Sequence, residues 1–157
     1  MLFYKYIGNE VKMKTVIQRV TNANVVVDDK VVGEIKKGLV VLLGVCDEDT
    51  YETVERIVKK IINLRIFTDE NDKMNLSLKD IGGEILVISQ FTLYADCRKG
   101  NRPSFTDAGK PEHANKLYEY FIEKVKKYEI GVQHGIFGAH MEVSLTNDGP
   151  VTIVLEA

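Results

Sequence analysis

Cysteine is scarce in this 157-residue chain: Cys46 and Cys97 are far apart and differently flanked. That excludes a disulfide-stapled scaffold and predicts two reduced thiols, the ordinary state in a cytoplasmic protein. Neither CxxC nor HExxH spacing occurs. The histidines, His113, His134 and His140, include no pair one helical turn apart, so neither a metal site nor a metal cofactor is expected. No apolar run approaches the ~18 residues that span a bilayer, so no membrane partner is expected. Residues 1–12 interrupt their aromatics with Lys5, Asn9 and Glu10 and lack the apolar stretch of a signal peptide. Internal repeats and Pro/Gly-rich linkers are missing too, with only three prolines in the chain. There is no excess of one charge: 21 Lys and Arg face 23 Asp and Glu, a net charge of −2. Such a chain cannot coat nucleic acid by bulk charge, although a small footprint on a nucleic-acid end stays open.

What is present suffices for one domain. Hydrophobic residues make up 45% of a length that can bury about two-thirds of its unfolded surface. Thr15–Val20 and Asn24–Val27 read as strands. A polar tip at Asp28-Asp29-Lys30 then leads into Val31–Ile35, which predicts a hairpin. The apolar run from Gly38 to Val45 fits a strand buried on both faces. Val54, Ile57, Val58, Ile61 and Ile62 recur at helical spacing, predicting a helix from Asp49 to about Leu64 with Asp49 and Glu52 as its capping pair. Residues 69–72 read as a polar turn, Glu84–Gln90 as a buried strand and residues 95–111 as an irregular loop. Pro111 opens a second helix to about Tyr128, with Ala114, Leu117, Phe121 and Val125 inward. Glu142–Leu145 and Val151–Leu155 are the last predicted strands, joined across residues 146–150. About eight strands and two main helices in an order other than βαβα predict an α+β fold, its sheet mostly antiparallel and rolled toward a barrel.

Three segments carry candidate chemistry. Ser89-Gln90-Phe91-Thr92 ends a buried strand. Its hydroxyls, amide and backbone N–H groups suit an oxyanion site, and it also reads simply as polar residues closing a strand. No base for a Ser or Thr nucleophile is evident in the sequence. Asn147-Asp148-Gly149-Pro150 reads as a β-turn, or as an X-Pro bond held cis, which would aim successive carbonyls in a fixed direction. Arg98, Lys99 and Arg102 form a basic segment before Phe105. It suits phosphates with Phe105 against a base or the core, and equally an ordinary solvated loop. His134 and His140 lie among glycines near the last strands, and Met141, Val143 and Leu145 alternate as core residues.

These motifs, in this order, resemble the D-aminoacyl-tRNA deacylase family. Residues 13–20, Ser89-Gln90-Phe91-Thr92-Leu93, Asn101-Arg102-Pro103-Ser104-Phe105 and Asn147-Asp148-Gly149-Pro150-Val151-Thr152 carry the resemblance. It covers residues 13–157 as a single domain and leaves 1–12 as an N-terminal extension. It implies a homodimer of barrel-like subunits with active sites at the interface, and a cis Gly149-Pro150 inserted into the partner's site for chiral selection. The implied reaction is hydrolysis of D-aminoacyl-tRNA, gripped at its acceptor end, to free D-amino acid and tRNA. Glycyl-tRNA would be hydrolysed too, and no cofactor is needed. Ser89, Gln90, Phe91 and Thr92 would place the substrate and stabilise the oxyanion, with Arg19, Met141 and Asn147 as supports and Arg98, Lys99 and Arg102 against tRNA. The competing reading is a dimeric nucleic-acid-binding module without catalysis. A third is a hydrolase using Thr92 or Ser89 as nucleophile.

Overall fold

Strand β1 (Lys14–Val27) is the spine of the sheet, because neighbours use both of its edges along most of its length. The computed structural model describes residues 12–157. The proposed N-terminal extension therefore lies outside the described residues, Lys12 excepted. Along one edge of β1, residues 14–20 pair antiparallel with β3 (Gly38–Gly44) and residues 23–27 pair antiparallel with β2 (Lys30–Ile35). Along the other edge runs β8 (Glu142–Glu156). β6 (Glu84–Ser89) adds in parallel to β3, and β7 (Val132–His134) in parallel to β6. The order is β2-β1-β3-β6-β7, and the curled sheet brings β2 back toward β7. Gly33 of β2 stands at that closure. A Cβ there would lie 2.8 Å from the His134 carbonyl oxygen, so only glycine lets the two strands approach.

The uninterrupted apolar runs have a direct cause. Leu39, Val41, Leu43, Ile85 and Val87 face one core, and Val40, Leu86 and Ile88 face another. The first core is covered by α1 (Tyr51–Asn63) and α3 (Pro111–Lys127), through Val54, Ile57, Val58, Ile61 and Ile62 and through Leu117, Phe121 and Val125. The second is the barrel interior, closed by Val20, Ala23, Val25 and Ile35, with Leu42, Met141, Val143 and Leu145 partly buried around it. β1 serves both. Ile17 faces the helices, and a register shift between Val20 and Asn22 puts Ala23 and Val25 inside the barrel.

Several local expectations need correction. The two runs predicted in 15–27 are one strand, and so are the two predicted in 142–155, which continue in the same direction rather than folding back. Three short strands are added: β4 (Phe67–Thr68) and β5 (Met74–Leu76) on either side of the 69–72 turn, and β7 between Gly131 and Gly135. The total stays near eight by a different partition. A single-turn helix α2 (Leu78–Ile81) also appears, capped by Ser77 and Asp80. At α1 the cap is Thr50, which exchanges hydrogen bonds with Thr53; Glu52 merely sits in the first turn.

Asp49 has another task. It is buried and accepts the backbone N–H groups of Met13 (3.0 Å) and Cys46 (2.8 Å), tying the start of the sheet to the loop before α1. Burial raises its pKa. Burial, with the neighbouring Asp49 charge second, also pushes the Cys46 thiol up to about 12, so it is no thiolate nucleophile. Asp49→Asn keeps only one acceptor and turns an amide N–H toward the other donor. It should cost about 2 kcal/mol, read as the shift in a urea unfolding curve; an unchanged midpoint would contradict this role.

Candidate active site

β6 ends at Ser89, where the chain leaves the sheet in a 3-10 turn, Phe91–Tyr94. The Gln90 N–H bonds the Leu43 carbonyl at 2.8 Å, so this turn is fixed to the rigid end of β3. Leu93 donates back to Gln90, whereas the N–H groups of Phe91 and Thr92 open the turn, ahead of any i→i−3 bond. Ser89, Gln90 and Phe91 form one wall of a cleft of about 660 Å³. Residues 105–111 contribute Phe105, Gly109 and Lys110, and the β7–β8 connection contributes Phe137, His140 and Met141. Phe91 is 57% exposed and meets Phe105 edge to face, with ring centres 5.1 Å apart. The 105–111 segment is docked by Gly109 N–H to the Val45 carbonyl (2.8 Å) and Lys110 N–H to Asp47 Oδ1 (2.9 Å).

Thr92 is not among the cleft-lining residues. Its hydroxyl oxygen accepts from Gln90 Nε2 at 2.5 Å. An amide N–H cannot remove a proton, so this contact does not activate Thr92 as a nucleophile.

The second motif is a bulge rather than the turn of a hairpin. Gln18 pairs with Thr152 and Val20 with Asn147, so the four residues from Asp148 to Val151 stand opposite the single Arg19. The surplus chain is pushed outward, leaving Gly149 and Pro150 exposed, and the peptide between them is cis. Two side chains brace it. Arg19, only 8% exposed, donates from Nε to the Asp148 carbonyl (2.9 Å) and from a terminal nitrogen to the Ile66 carbonyl (2.8 Å), and faces the Asp148 carboxylate at 3.5 Å. Asn147 spans the bulge, accepting from Val151 N–H at 2.7 Å and donating to the Thr152 hydroxyl at 2.9 Å. Arg19→Gln loses the reach to Ile66 and leaves buried acceptors unmet. A stability loss of about 2 kcal/mol is expected in thermal unfolding; no loss would mean that the bulge holds itself.

The bulge and the cleft are apart within one chain. Ser89 and Leu43 share a register level with Thr15, whereas Arg19 pairs with Leu39. Four residues of strand, about 13 Å, therefore separate the two levels, and the bulge lies beyond β1. Met141 lines the cleft, beside Ile88 and Gly135.

The basic loop lies outside the cleft lining. An Asp96–Ser104 bridge closes its base. Arg98 forks onto Asp96 with bonds of 2.9 and 2.7 Å, holding that carboxyl near pKa 2, so its charge is already matched. Lys99 and Arg102 are exposed. Sequence reasoning missed Phe137 and the cleft position of Lys110. The available signal was the glycine-punctuated run 131–138, which holds apolar residues outside any strand. Among the described residues there is no group of three potential metal ligands, and no helix is long and apolar enough to cross a membrane.

A family model described as D-Tyr-tRNA(Tyr) deacylase matches residues 16–156. The chain is 60% identical over 146 residues to the D-aminoacyl-tRNA deacylase of Thermosipho melanesiensis, an overlap of 92% of this chain and 97% of that one. It is 59% identical over 145 residues to the D-aminoacyl-tRNA deacylase of Clostridioides difficile, with the same coverage. Among solved structures, a c-Myc DNA unwinding element binding protein superposes with a TM-score of 0.86 at 45% identity, covering 92% of this chain and 98% of the other. A probable eukaryotic D-amino acid tRNA deacylase shares the fold, with a TM-score of 0.80 at 18% identity over 93% and 100% of the two chains.

Proposed function

The chain belongs to the D-Tyr-tRNA(Tyr) deacylase family, and on that footing we propose that it hydrolyses the ester of D-aminoacyl-tRNA, releasing tRNA and D-amino acid in the cytoplasm. The observation that carries the reading is the cleft itself. It presents an exposed aromatic and backbone donors at a strand end, with no carboxylate among its lining residues and no hydrogen bond joining its one hydroxyl, Ser89, to Lys110 or His140. An aminoacyl ester suits such a site, because the ester is already activated and the adjacent ribose hydroxyl can assist its cleavage. What the protein must add is position, N–H donors for the developing oxyanion, and a placed water. Phe91 N–H, on the cleft wall, is the donor in this scheme, with Thr92 N–H next in the same turn but set back from the lining; Ser89 and Gln90 place the substrate, and Phe105 packs against a base. Lys99 and Arg102 meet acceptor-end phosphates; Arg98 serves mainly to hold the loop.

Chiral selection falls to Gly149 and Pro150, supplied by the partner subunit of a homodimer. The separation of bulge and cleft within one chain supports this, as does the bracing of an exposed bulge by Arg19 and Asn147. Main-chain atoms against the substrate's α-carbon leave no room for an L side chain. A D side chain points away, and glycine has nothing to exclude.

The test is deacylation of D- and L-tyrosyl-tRNA, with rapid loss of the D ester only. Salt-dependent duplex binding without ester hydrolysis would instead favour the non-catalytic nucleic-acid module, a reading kept in view by the DNA-binding name of one structural relative. Thr92→Ala should retain at least about a tenth of kcat/KM. Loss of a covalent nucleophile would cost roughly 10⁴-fold or more, and that result would make Thr92 the nucleophile.

A further inference from the structure

The cleft is lined by apolar residues, glycines and uncharged polar groups with two exceptions, Lys110 and His140. They come from different segments, one preceding α3 and the other preceding β8, and both are exposed, so they stand at the solvent-facing edge. No carboxylate is among the lining residues to neutralise them. Asp47 takes up the Lys110 backbone N–H rather than its ammonium, and among the described residues neither Lys110 nor His140 makes an ion pair. A cation and an imidazole N–H are thus left at the cleft edge as a site for an anion.

The substrate class of the preceding section brings one. The ribose that carries the aminoacyl ester also carries, at its 5′ oxygen, the phosphodiester to the penultimate nucleotide. Any cleft that holds the ester therefore has this phosphate one sugar away, at its edge. We propose that Lys110 and His140 are positioning residues that hold this last phosphodiester and so set the depth to which the ester enters the cleft. The inference rests on the deacylase reading. It separates these two residues from Lys99 and Arg102, which lie outside the cleft.

The experiment compares two substrates that share the ester but not the phosphate: D-alanyl-tRNA and 3′-O-D-alanyl-adenosine. For Lys110→Ala and His140→Ala, the ratio of kcat/KM on tRNA to kcat/KM on the nucleoside ester should fall about tenfold each, the scale of one lost charge-assisted contact. The effect should appear in KM for tRNA, with a shallower salt dependence. Lys110→Arg should restore the ratio. An unchanged ratio, or equal losses on both substrates, would overturn the proposal and mark the two residues as mere cleft wall. Wild-type protein that hydrolyses neither ester would remove the deacylase reading and this inference with it.

Discussion

Gly149→Ala should lower single-turnover deacylation of a D-aminoacyl-tRNA by about 10²–10³-fold, the scale of a misplaced group at a reacting centre. Gly149 has φ +136°, a backbone conformation rarely adopted by L residues, and a new Cβ would lie 2.9 Å from Val151 Cγ2, 3.1 Å from Val151 N and 3.2 Å from an Arg19 guanidinium nitrogen. Relief requires the bulge to move against the two side chains that brace it. A stability loss of about 1–3 kcal/mol should accompany the change. Gly82 supplies the control. Its φ is +64°, and an added methyl would meet nothing within 4 Å, at the end of α2 and outside the cleft lining. Gly82→Ala therefore carries backbone strain without touching bulge or cleft, and its activity should stay near wild type. Equal activity losses in the two variants would show that backbone strain alone, and not the placement of Gly149, explains the effect.

The sequence was informative wherever a pattern is local. Helical spacing in 54–62 and 114–125 marked both main helices, and the glycine-bounded run at 38–45 marked the strand buried on two faces. Capping was less legible, because Asp49-Thr50 offers two candidate caps and only the tertiary contact with Met13 and Cys46 draws Asp49 away. The 147–150 segment reads as a turn from composition alone. Its four-against-one mismatch opposite Arg19 depends on pairing with a strand more than a hundred residues earlier. Strand β7 was hidden by its length of three residues, since it exists only as an addition to β6. At the site, the Ser89–Thr92 cluster stood out as polar groups after an apolar strand. Which of its members reach the cleft, and that Met141 joins them, depends on how the 105–111 and 137–141 segments fold over the strand end.

Chiral discrimination is the largest effect expected of this protein, and one measurement probes it directly: hydrolysis of D-alanyl, glycyl and L-alanyl esters on the same tRNA at equal enzyme concentration. Under the proposed function, selection by main-chain atoms of Gly149 and Pro150 would act on the presence of a Cβ on one side of the α-carbon. Alanine is the strictest probe, since its side chain is a single methyl with no flexibility to evade exclusion. The account predicts that D-alanyl- and glycyl-tRNA are both hydrolysed, while L-alanyl-tRNA reacts at no more than about a hundredth of the D rate. Glycyl-tRNA as resistant as L-alanyl-tRNA would require recognition of the D side chain itself, and L-alanyl-tRNA as labile as D-alanyl-tRNA would contradict the account outright.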